Sequence, residues 1–171
     1  MSALLLMLAG CSSDDENGGE TISPSVQLAD NTLLVSKDGD AVAESYPVTS
    51  SGFYIDAMPV VGSNGPSFIF HCSFDSPDVK ELVFCIINLK KDADAFRVGE
   101  IFPSDQLNAI LKPRKETEDY FYNSTQGSIK LMDKKKADGK DILTFELDEL
   151  AFEGGYTING RVDFEYGGTV Y

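Results

Sequence analysis

A chain of 171 residues carrying 28 acidic against 14 basic side chains, a net charge of -14, is long enough to bury the core of one domain. That balance excludes charge-driven binding to nucleic acid and to anionic lipid, both of which need clustered Lys and Arg.

The first element in chain order is an apolar run, Ala3 to Ala9. It ends at Gly10 and Cys11 and turns at once into Ser12, Ser13, Asp14, Asp15 and Glu16. The run is far shorter than the ~20 residues of a membrane-spanning helix and fits the apolar region of a signal peptide. Only Met1 and Ser2 precede it, without the basic residues usual there. Ser12 to Glu20, with the pair Gly18-Gly19, has the composition of a flexible acidic tether.

Leu8-Ala9-Gly10-Cys11 resembles the lipobox of bacterial lipoproteins at all four positions. The resemblance implies cleavage before Cys11 and thioether lipidation of its sulfur. A cysteine followed closely by acids is similar to the export signal of surface lipoproteins in Bacteroidota. The chain then divides into residues 1–10 as signal peptide, 11–25 as lipidated cysteine and tether, and 26–171 as a single domain. The implied location is the outer membrane, surface-exposed, with a periplasm-facing anchor as the alternative.

Alternating strand patterns follow. "NTLLVS", "AVAESYPV" and "GFYIDAMPVV" come first. In "PSFIFHCSFD", Phe68, Phe70, Cys72 and Phe74 share one face; "KELVFCIINLK" is apolar on both faces, as in a strand covered on both sides. "SPDV" between them suits a turn. If the turn is the two residues Asp78-Val79, Cys72 opposes Cys85. That pair is a candidate disulfide in an oxidising compartment; a register one residue different leaves two buried thiols. "AFRVGEIF" and "EDYFYNS" read as further strands, while "PSDQLNAILK" reads either as one or two helical turns capped by Ser104 or as extended chain.

The C-terminal third commits itself most. In "GSIKLMD", Ile129 and Leu131 point inward. A two-residue Asp138-Gly139 turn would oppose Leu131 to Glu146, so a three-residue loop from Ala137, which opposes Leu131 to Phe145, is expected instead. In "DILTFELDELAFE" the apolar residues switch from Leu143, Phe145 and Leu147 to Leu150 and Phe152, which calls for a β-bulge near Asp148-Glu149. After a turn at Glu153-Gly154-Gly155, Tyr156, Ile158, Val162, Phe164 and Tyr166 share a face, with Gly160 opposite Leu147. This meander resembles the end of small β-rich lipoproteins of Bacteroidota. The fold expected is all-β: an antiparallel β-sandwich of nine or ten short strands, with a calycin-like β-barrel as the alternative.

Chemistry-bearing motifs are sparse. No nucleotide loop, zinc spacing or nucleophile elbow is present, and the single histidine, His71, falls in a strand. Asp38, Asp40 and Glu44 lack calcium-loop spacing, and Asp148 and Glu149 are neighbours that a regular strand points to opposite faces. Lys134, Lys135 and Lys136 suit a solvated strand end. Tyr120 and Tyr122 share one strand face and are candidates for stacking on a ligand such as a sugar ring. No catalytic residue, metal ligand or cofactor is assigned. The function expected is a non-catalytic binding or accessory module, held to the membrane through lipid on Cys11 and engaging a glycan, a peptide or another envelope protein. A structural or adhesin-like component is the alternative, and a hydrolase a more distant one.

Overall fold

The computed structural model describes residues 30–39, 42–56, 67–87, 93–115 and 120–170; Cys11, the signal and the tether lie outside them. Nine strands are formed among the described residues: β1 (Thr32–Lys37), β2 (Glu44–Asp56), β3 (Ser67–Phe74), β4 (Val79–Ile87), β5 (Ile101–Pro103), β6 (Leu107–Pro113), β7 (Tyr122–Ala137), β8 (Lys140–Phe152) and β9 (Tyr156–Val170). Two stretches read as separate strands around Tyr46 and Tyr54 are one, β2. Pro47 is tolerated within it because β3 joins β2 only from Val48 onward, so at Pro47 the strand has β1 alone beside it.

The architecture is all-β and antiparallel, as the alternation requires. The sheet closes on itself through β1, β2, β3, β4, β6, β7, β8 and β9, with β5 an additional short strand on β7. Of the two packings open to the sequence, this is the barrel. β1 is short, and where it ends β2 and β9 meet directly in a parallel pairing, Phe53 beside Tyr166. β5 and β6 lie almost in line against β7. Ile101 pairs with Lys130 and Ile110 with Asn123, a phase difference of two residues taken up by the 3-10 turn Ser104–Gln106. The stretch read as helical or extended is thus an interrupted strand, and "AFRVGEIF" supplies only β5 after a 3-10 turn at Ala93–Ala95.

Phenylalanine fills the ring. Of the chain's eleven, ten are buried. Phe70 stacks on Phe84 at 4.8 Å between centroids and meets Phe145 and Phe164 edge-on at 5.0 and 5.4 Å, geometry that aromatic quadrupoles favour. Phe96, delivered by the first 3-10 turn, packs edge-on against Phe68 at 4.8 Å.

That stacking fixes the β3–β4 register and overturns the disulfide expectation. Phe70 opposes Phe84, so Cys72 opposes Leu82 and Cys85 opposes Ile69. Cys72 faces the core among Phe70 and Phe74, whereas Cys85 belongs to the opposite face of its strand; both are free thiols. The turn is centred on Pro77 rather than on Asp78-Val79.

In the closing meander Leu131 opposes Phe145 and Ile129 opposes Leu147, as the pattern demands, but by another route. The loop is the two-residue Asp138-Gly139 turn, with φ of 50° and 81°, and Ala137 pairs with Lys140. A bulge between Leu131 and Asp133 restores the register. The second bulge stands where it was expected: β8 and β9 shift between Leu147 and Leu150, with Glu149 at φ 47° and its N–H donating to Asn159 Oδ1 at 2.7 Å. Gly160 opposes Leu147, yet the space it leaves belongs to β1: a Cβ there would lie 2.6 Å from the Thr32 carbonyl oxygen and 2.7 Å from Leu33.

Candidate functional site

The strand directions gather the polar and aromatic features at one end. β1, β3, β6 and β8 finish there, and β2, β4, β7 and β9 begin there. The interior is occupied by aromatic rings, and the depressions described below lie at the rim. Two depressions flank the β3–β4 turn at Asp75 to Asp78. That turn is held by Arg114, whose Nε donates to the Ser76 carbonyl at 2.8 Å and whose guanidinium pairs with Asp75 at 2.6 Å.

The more enclosed depression is a cleft of about 170 Å³ between the end of β1, the start of β2, the turn and the start of β9. Its chemistry comes from Lys37, Glu44, Tyr46, Ser76, Asp78 and Tyr156. Tyr46 donates its hydroxyl to the Glu44 carboxylate. That bond, helped by burial of the ring and opposed by Ser76, holds the phenol proton above its usual range. Lys37 sits over the Tyr156 ring with Nζ 5.0 Å from the centroid, within cation–π range. Its contact with Tyr156, and then the nearby Asp78 and Asp38 carboxylates, raise the ammonium pKa. Tyr156 itself is almost wholly buried, so only the edge of the ring forms wall.

The second depression, about 330 Å³ and more open, lies between β2 and the Arg114 clamp, with Thr49, Lys80 and Glu81 at its sides. Its charges are largely engaged: Glu81 pairs with Lys112 at 2.9 Å and Arg114 with Asp75. In the first cleft the polar groups bond to one another, the Tyr46 hydroxyl donating to Glu44 and the Asp78 N–H to Ser76 Oγ at 3.4 Å.

Of the two tyrosines singled out by strand parity, Tyr122 is half-buried with its ring 5.3 Å from Tyr156, and Tyr120 is exposed, 5.3 Å from Tyr122. The three rings form a row from the cleft to the rim, but they do not lie flat: successive planes turn by 41° and 89°. Tyr46 and Lys37 escaped the sequence reading. The only hint was a tyrosine and a lysine flanking a short acidic turn.

His71 lies on the outside of β3, its ring 3.3 Å from where a Cβ on Gly52 would stand. Among the described residues no three His, Cys, Asp or Glu side chains converge in a way that would hold a metal ion. The three consecutive lysines of β7 are paired, Lys134 with Asp94 at 2.9 Å, Lys135 with Asp163 at 3.1 Å and Lys136 with Asp141 at 3.6 Å. Asp163 departs from the simple solvent-facing position its parity suggests. It accepts from Thr144 Oγ1 at 2.5 Å, donates its N–H to Asn31 Oδ1 at 2.9 Å, and receives Ser51 Oγ on its carbonyl at 2.6 Å. Comparison of the chain with known protein families, with curated proteins and with solved structures yields no match.

Proposed function

We propose that this is a lipid-anchored envelope protein whose barrel is a non-catalytic binding module, presented at the outer surface of the outer membrane. The observation that supports the reading is the direction of β1. It begins partway along the wall, at Thr32 beside Pro47 and Arg161, and runs toward the cleft, which it reaches at Lys37, so the chain enters the barrel away from Lys37, Tyr46 and Tyr156.

The polarity of the barrel supports attachment through lipid rather than through the wall. Phenylalanines point inward and ion pairs such as Lys112–Glu81 and Lys135–Asp163 lie outside, the reverse of a membrane-spanning barrel. No helix among the described residues is long and apolar enough to cross a membrane.

Replacing Cys11 with Ala is expected to abolish fatty-acid labelling and to move the protein into the soluble fraction, since stable anchoring needs more than one acyl chain on the site. Digestion of intact cells by an added protease is expected to remove the wild-type protein. Retention of the Cys11→Ala protein on salt-washed membranes would overturn the anchor; protection from protease on intact cells would place the domain on the periplasmic face.

A further inference from the structure

We infer that the rim cleft takes a single neutral pyranose ring, the terminal unit of a glycan; the inference rests on the binding role proposed above and names its ligand. Size sets the first limit. At ~30 Å³ per water the cleft's volume of about 170 Å³ is that of five or six waters, room for one substituted six-membered ring but not for a chain. The shape sets the second. The end of β1, the start of β2, the turn at Ser76 to Asp78 and the start of β9 surround it, an arrangement that suits the end of a glycan better than the middle of a polymer. Beyond the cleft the tilted Tyr122 and perpendicular Tyr120 offer no level shelf on which further sugars could lie.

Hydrogen-bonding capacity sets the third. Lys37 only donates, the carboxylates of Glu44 and Asp78 only accept, and the hydroxyls of Tyr46 and Ser76 do both. An ionic ligand is matched by charges of one sign. A ring bearing several hydroxyls, each both donor and acceptor, is matched by this mixed set. Vicinal hydroxyls suit the two oxygens of Glu44, whose hydrogen-bond partner among the described residues is the Tyr46 hydroxyl two residues away. The exposed side chain of Val42, with the edge of the Tyr156 ring, supplies the apolar surface against which a sugar's C–H face packs.

The test is titration of the full, isotope-labelled chain, followed by amide chemical shifts, with the methyl glycosides of glucose, galactose and N-acetylglucosamine and, separately, with spermidine. Expected is a saturable response to at least one glycoside at residues 35–46, 76–78 and 156. A ligand of about 13 non-hydrogen atoms at the efficiency typical of drug-sized molecules gives a Kd on the order of 1 mM. Glu44→Gln should weaken it about tenfold, the usual weight of a hydrogen bond to a charged group, and Tyr46→Phe should weaken it while leaving the spectrum otherwise folded. Binding of spermidine without any glycoside would overturn the sugar and leave a ligand site in place. Glycoside shifts elsewhere on the barrel, or unchanged affinity in Glu44→Gln, would overturn the site. Silence to all four probes would overturn the inference and the binding role together.

Discussion

Cys72 has no solvent exposure, and burial pushes its thiol pKa up to about 12. The folded state therefore holds this proton more tightly than the unfolded chain, whose thiol titrates near pH 8.5. The resulting stabilisation is complete below that pH and is lost as pH rises toward 12. Denaturant midpoints measured from pH 8 to 11 should fall more steeply for the wild type than for Cys72→Ala; parallel slopes would mean that Cys72 is not the group responsible. Half-buried Cys85 should react with a thiol reagent in the native state, while Cys72 waits for unfolding. Parity read from the sequence puts Phe145 inside and Glu146 outside, and the structure agrees. Phe145→Ala should cost ~3–5 kcal/mol and Glu146→Ser ~0.5 kcal/mol or less in denaturant titration. Asp163 shares the outward parity of Glu146 but not its tolerance. Asp163→Ser should cost ~1–3 kcal/mol by stranding buried Thr144. Its partner Asn31 lies 132 residues away in the chain, a contact no local pattern announces.

The elements differ in how clearly the sequence marks them. The bulge at Glu149 was legible because the apolar residues of β8 change parity inside a single strand. The bulge between Leu131 and Asp133 was not, because beyond Leu131 the strand carries charged residues that mark no phase. The same conflict between turn and register was visible in the sequence, but a longer loop and a bulge satisfy it equally. β4 offered no parity at all, with Val83 and Cys85 on one face and Leu82 and Phe84 on the other, so the choice fell to Phe70 stacking on Phe84. Where an irregularity is seated against a neighbour, its cost can be tested. Gly127 has φ 94°, and a Cβ added there would overlap the Glu149 carbonyl. Gly139 has a comparable φ of 81° with open space around it. Gly127→Ala should therefore destabilise well beyond the ~1 kcal/mol of backbone strain alone that Gly139→Ala incurs; equal losses in thermal unfolding would show that the bulge does not depend on the glycine.

At the scale of the molecule, closure was the least legible property. Sandwich and barrel share nearly every hairpin here, and the seam that joins β6 to β7 consists of two residue pairs, Ile110 with Asn123 and Leu111 with Tyr122. The cleft is hidden as well. Lys37, Tyr46, Ser76 and Tyr156 come from four separate parts of the chain and become neighbours only through the pairing of β1 with β9 and of β2 with β3, whereas Tyr120 and Tyr122 stood out as near neighbours in one segment. The sheet also sets β1 between two antiparallel partners, with four residue pairs to β2 and six to β9. Under load this becomes a mechanical property. A pull on the tether side of β1, resisted by a ligand held at the far rim, runs along the strand, so the hydrogen bonds on both flanks are sheared together. A pull that separates Asp30 from Arg161, which stand side by side, instead opens the β1–β9 ladder one bond at a time. Single-molecule extension between Asp30 and Pro77 should reach a higher rupture force than extension between Asp30 and Arg161. With the tether attached as proposed, the domain would hold most firmly along β1, the direction in which a load between anchor and ligand would act.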